Sequence, residues 1–185
     1  MKILTRLIIS ALTLGLSNQV LAQAEVEIEW DNPKKYSDIM PSNDSRKRFR
    51  ESTFKHIHEY MNKLALALPE KKKLLMTVTD LDLAGQVWPA NYVGFGNSGS
   101  DVRVIETIDV PRMNFSYQLL DEFGQVLQQA DVKLKDMAFF DRSRHFLRNE
   151  QLRYEKNMLK RWFDKEFDLL MLKGVAKKES VNSKV

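Results

Sequence analysis

The sequence predicts an α+β domain: a mainly antiparallel β-sheet with two amphipathic helices packed on one face, in the order β-α-β-β-β-β-α. Three observations carry this. Apolar residues alternate with period two over residues 26–30, and again over two successive runs, 113–119 and 126–134. They recur with helical spacing over 49–68 and 152–170. A turn signal, Asp121-Glu122-Phe123-Gly124, separates the two long alternating runs.

The chain opens with a basic segment, Lys2 to Arg6, and an apolar run over 7–16 that is too short to span a bilayer as a helix. Polar residues Ser17, Asn18 and Gln19 end the run, and Ala22-Gln23-Ala24 supplies the small-x-small pattern of a cleavable signal peptide. We assign residues 1–24 to the signal, cut after Ala24 or, alternatively, after Ala22. Residues 25–174 form one domain and 175–185, lysine-rich and aperiodic, a disordered tail. The chain has no cysteine. That excludes disulfides, thiolate chemistry and a lipid-modified cysteine anchor. Taking Lys2 and Arg6 away lowers the formal charge from +4 to +2, too little and too scattered for a nucleic-acid binder. The expected product is soluble and periplasmic, or extracellular, with no transmembrane anchor after cleavage.

The elements follow in order. Val26, Ile28 and Trp30 face one way and Glu27 and Glu29 the other, as in a half-buried strand, which Asp31-Asn32-Pro33 ends. After the turn-rich stretch 41–45, Phe49, Thr53, Ile57, Tyr60, Leu64 and Leu68 line a helix stopped by Pro69, with Phe54 and Met61 widening the stripe. Residues 74–83 are apolar on both faces at first, suggesting a central strand closed by Gly85. A long connection follows over 84–101, then a short strand near 102–108. In the hairpin, a four-residue turn sets Leu119 opposite Val126, Tyr117 opposite Gln128, Phe115 opposite Ala130 and Met113 opposite Val132. Leu152, Leu159, Trp162, Phe163, Phe167 and Leu170 form the stripe of a final helix, which starts near Ser143 or Asn149, ends at Lys173 and has Gly174 as its cap.

Candidate chemistry is sparse. Asp80 and Asp82 share a strand face, placing their Cβ atoms about 7 Å apart. They can hold a cation, act as acid and base, or simply answer Arg103 or Arg112 from the polar side of the strand. Trp88 and Tyr92 in the long connection form either a binding lip or the loop's own packing. Gly94-Phe95-Gly96-Asn97-Ser98-Gly99 has dinucleotide-fingerprint spacing but precedes a strand-like run instead of a helix, so no nucleotide is expected. His56 and His58, two apart on a helix, cannot jointly grip a metal, and His145 stands alone. Arg46, Lys47, Arg48 and Arg50 form a basic cluster at a helix start, either a contact for an acidic partner or a solvated face.

Several stretches together resemble one family. They are residues 30–39, the Thr79-Asp80-Leu81-Asp82-Leu83-Ala84-Gly85 run, Pro111-Arg112, and Tyr154-Glu155-Lys156 ahead of Trp162-Phe163. The family is the exported bacterial domain of unknown function family 3016. The resemblance implies a small secreted single-domain protein and brings no catalytic residue, cofactor or partner with it.

The function expected from the residues is that of a non-enzymatic periplasmic binding or envelope-accessory domain. It needs no cofactor, and its partner is an envelope protein or glycan. The alternative is a hydrolase or metal-dependent enzyme using Asp80 and Asp82. Candidate binding residues are Asp80, Asp82, Arg103, Arg112, Trp88 and Tyr92.

Overall fold

The computed structural model describes residues 23–94, 100–143 and 147–182, with side chains of the final helix described as far as Leu172. The predicted signal, apart from Gln23 and Ala24, lies outside the described residues, as do 95–99 of the glycine-rich stretch and His145. The fold is α+β. A four-stranded sheet runs in the order β1 (Glu25–Trp30), β2 (Lys73–Asp82), β5 (Arg112–Leu120), β6 (Val126–Lys135), and a separate ribbon pairs β3 (Gln86–Pro89) with β4 (Asp101–Val104). Helix α1 (Arg46–Ala65) lies between β1 and β2 in sequence, and α2 (Phe139–Arg142) and α3 (Arg153–Asn182) close the chain. Among the described residues no helix is long and apolar enough to cross a membrane.

β1 and β2 pair in parallel, Val26 beside Leu74 and Ile28 beside Met76, and the other sheet contacts are antiparallel. Parallel neighbours need a crossover, which α1 supplies. Ser45 caps α1, its side chain accepting from the Arg48 N–H at 3.2 Å. The basic first turn of α1 opposes the helix dipole, and Asp44 offsets part of that charge by pairing with Arg48 at 3.1 Å.

One face of the sheet contributes Val26, Leu74, Met76, Val78, Met113, Phe115, Tyr117 and Leu119 to the core. Against it α1 sets Ile57, Met61 and Ala65, and α3 sets Met158, Leu159, Trp162, Phe163 and Phe167. Burial of this kind is worth about 1.5–3 kcal/mol per large side chain before chain entropy is counted. Two α3 positions in the same stripe, Glu155 and Glu166, are acidic. Glu166 accepts from the Tyr117 hydroxyl at 2.6 Å and the Gln128 amide at 2.7 Å, so it ties α3 to β5 and β6.

Three expectations need correction. The hairpin register differs by two residues: Leu119 faces Gln128, Tyr117 faces Ala130, Phe115 faces Val132 and Met113 faces Leu134. The turn is one residue longer, closed by the Asp121 N–H on the Gln125 carbonyl with Gly124 at φ 77°, and a bulge between Leu119 and Leu120 adds the second residue. A two-residue slip keeps every side chain on its expected face. The connection over 84–101 contains β3, an additional strand whose four residues include a proline that masks the pattern. Finally, α3 begins at Arg153, after the separate turn α2, and continues through Gly174 to Asn182 where a disordered tail was expected. A single interior glycine costs a helix only about 1 kcal/mol relative to alanine, and Val175, Ala176 and Lys177 continue it.

Candidate functional site

Charged groups gather at the C-terminal end of β2, and a bulge puts them there. From Leu74 to Val78 every second residue is buried, so strict alternation would send Asp80 and Asp82 into the core. Instead the register shifts between Val78 and Asp80, Thr79 is left exposed, and Leu81 takes the core position opposite Met113. Asp80 and Asp82 therefore share the polar face.

Their partners differ. Asp80 accepts from both the N–H and the hydroxyl of Ser37, each at 2.8 Å. This fastens the segment after β1 alongside the end of β2, where the Asp38 N–H donates to the Leu81 carbonyl at 3.3 Å and the Leu83 N–H to the Asp38 carbonyl at 3.1 Å. Asp82 lies beside Asp38 in this short parallel bridge and beside Arg112 in the antiparallel ladder. Arg112 pairs with Asp82 at 3.1 Å. Burial raises the pKa of Asp82 above the usual carboxylate value, Arg112 opposes the shift, and the negative charges of Asp38 and Asp80 add to it.

Arg103, from β4, grips Asp38 with both terminal nitrogens and also donates to the carbonyls of Gly85 at 2.9 Å and Met40 at 2.8 Å. Glu155, near the start of α3, is 3 % exposed and accepts from the Ala84 N–H at 2.8 Å. Burial raises its pKa, while backbone N–H groups and the charge of Arg103 hold the rise back.

A cleft of about 660 Å³ opens beside this cluster, lined by Asp38, Met40, Asp82, Gln86, Asp109 and Arg112 among others. Asp109 accepts from the Gln86 side chain at 2.9 Å. Of the residues predicted from sequence, Asp82 and Arg112 line this cleft, Arg103 braces its wall through Asp38, and Asp80 works beside it through Ser37. Trp88 and Tyr92 do not line it. In the ribbon Val87 faces Arg103 and Trp88 faces Val102, so Trp88 sits on the opposite face from Arg103. Trp88 is 43 % exposed and Tyr92, in the short 3-10 turn after it, 76 %.

Sequence reasoning missed Ser37, Asp38 and Glu155. The first two sit in an irregular segment with no period to read. Glu155 did leave a signal: it falls three residues after Leu152 and four before Leu159, on the apolar stripe of α3. An acid in such a stripe is buried with a partner. Among the described residues no three His, Asp or Glu side chains come together as a metal site.

These features define an α+β domain in which arginines from neighbouring strands neutralise carboxylates at the rim of an open cleft. A family model described as a protein of unknown function (DUF3016) matches residues 24–165, from just before β1 into α3. The chain belongs to that family. No curated protein and no solved structure gives a match.

Proposed function

We propose that the chain is an exported, non-enzymatic periplasmic binding or envelope-accessory domain that takes an envelope protein or glycan at the cleft beside Asp82. The supporting observation is the pairing: Asp38, Asp82 and Asp109 are each held by a donor from another segment, Arg103, Arg112 and Gln86. Carboxylates fixed in this way are pre-set acceptors, suited to reading hydroxyl and amide groups at little ordering cost. Met40 and Ile108, 40 % and 76 % exposed, add apolar surface to the same cleft. Export rests on the N-terminal basic and apolar segments and the Ala22-Gln23-Ala24 pattern.

Capture from envelope extract tests this reading. The mature domain should retain a protein or glycan, and Arg112→Ala together with Asp109→Ala should release it while the fold persists by circular dichroism. Retention that is the same in wild type and variant, or no retention at all, refutes it. Native mass spectrometry of the purified protein gives an independent check for a co-purifying molecule.

The raised pKa of Asp82 supports a second reading, a hydrolase or metal-dependent enzyme centred on Asp80 and Asp82. Under that reading Asp82→Asn abolishes an activity or a metal affinity and leaves thermal stability unchanged. Loss of stability with no such effect assigns Asp82 to structure.

A further inference from the structure

A second cavity, about 650 Å³, shares Leu83 with the cleft and otherwise has its own walls. Phe49 from α1, Leu83, Ile105, Leu152 and the buried ring of Tyr154 give it an apolar lining. Arg148, in the segment leading into α3, and Arg153, the first residue of α3, stand among the same walls. The volume falls in the range of about 300–1,000 Å³ common for small-molecule sites.

Charge decides what fits. Three acids face the cavity, and each is already engaged: Asp44 by Arg48 at 3.1 Å, Glu150 by Lys156 at 2.7 Å, and the buried Glu155 by the Ala84 N–H at 2.8 Å. Burial further disfavours the charged form of Glu155. Among the cations, Arg103 is bound to Asp38 at 2.9 Å and His56 lies 3.6 Å from Glu59. Arg148 and Arg153 have no carboxylate partner among the described residues. Arg153 is nonetheless held in place, donating to the Arg148 carbonyl and the Tyr154 hydroxyl with its guanidinium 4.5 Å from the Tyr154 ring centre. Leu147 at φ 42° and Leu152 at φ 57° bracket the loop, and non-glycine residues keep that backbone only where the surroundings fix it.

We propose that this cavity binds a small amphipathic carboxylate, its head held by Arg148 and Arg153 and its apolar chain lying along Phe49, Leu83, Ile105 and Leu152. Two guanidiniums with free donors suit a carboxylate's paired acceptors, and neither a bare anion nor a bare alkyl chain would use both halves of the site. The site is distinct from the cleft beside Asp82, with which it shares only Leu83 among its lining residues.

Titration calorimetry on the intact chain tests the proposal with decanoate below its micelle-forming concentration, decyltrimethylammonium as the cation of equal chain length, and acetate as the head alone. Decanoate should bind and the other two should not. Arg148→Gln with Arg153→Gln should weaken decanoate at least about tenfold, the loss expected for a charge-assisted contact. The single reversal Arg148→Glu, at an exposed position, should weaken it without altering the circular dichroism spectrum. Asp82→Asn should leave decanoate affinity unchanged, which separates this site from the cleft. Absence of decanoate binding, equal binding of the cation, or affinity unmoved by the arginine substitutions would overturn the proposal.

Discussion

Arg103 on β4 clasps Asp38 in the segment following β1, Nη1 at 2.9 Å from one carboxylate oxygen and Nη2 at 3.3 Å from the other, across 65 residues of sequence. Both side chains are mostly buried, 17 % and 19 % exposed. The pair joins the small ribbon to the main sheet. Arg103→Ala leaves Asp38 uncompensated and removes a donor from the Gly85 and Met40 carbonyls, so it should cost about 3 kcal/mol. Urea denaturation measures this. A loss within error of zero would show that the ribbon is held by other contacts.

Glu155 makes stability depend on pH in a stated direction. Its folded pKa lies above the ordinary value near 4.5, so between the two values the folded chain binds more protons than the unfolded chain. Stability contributed by the protonated form is present below the unfolded value and falls as pH rises toward the folded one. Asp82, also raised by burial, acts with the same sign. Glu155→Gln should flatten the decline of Tm on raising pH from about 4.5. A variant whose Tm profile parallels wild type would show that Glu155 ionises freely in the fold.

Gly85 leaves no room for a side chain. It has φ 79°, and a Cβ there would lie 2.2 Å from the Val104 carbonyl oxygen and 2.6 Å from Ile105 Cδ1. Left-handed strain adds to the overlap, giving an expected loss of about 2–5 kcal/mol for Gly85→Ala. The same change at Gly124, φ 77° with nothing within 4 Å of the new Cβ, brings the backbone strain alone and should cost about 1–2 kcal/mol. Equal Tm shifts for the two variants would contradict this account.

The proposed signal cleavage offers a fourth test. Ala24 is 8 % exposed and belongs to the core cluster, one residue ahead of β1. Cleavage after Ala22 keeps that contact, and cleavage after Ala24 removes it. Under the proposed export, a start at Gln23-Ala24-Glu25 in N-terminal sequencing would show that the Ala24 contact is kept in the processed chain. A start at Glu25 would show that the packed methyl group is dispensable.

How much of this was legible in the chain depended on periodicity. Met113, Phe115, Tyr117 and Leu119 alternate cleanly and bury as alternation predicts. The stripe from Leu152 to Leu170 likewise locates α3. What escaped was set by events without a period. The bulge at Thr79 decides that Asp80 and Asp82 face away from the core, and only the chemistry of the aspartates hinted at it. The parallel pairing of β1 with β2 is a property of where α1 returns the chain, and no residue of either strand encodes direction. Arg112 was correctly offered as a partner for Asp82, since both lie on regular strands. Arg103 finds Asp38 instead, through a ribbon too short to read and a segment with no regular structure.

The helix that covers β1 also bears on how copies of the fold can stack. Val26 turns its peptide outward from the sheet, and α1 takes both groups: its N–H donates to the Asn62 side chain at 3.2 Å, and its carbonyl accepts from His58 Nε2 at 2.9 Å. At the other end β6 is the last strand of the sheet, with Lys133 and Lys135 exposed along it. A fibril lengthens only if every subunit offers two receptive sides. With the Val26 peptide already held by α1, the β1 side is partly closed to such pairing.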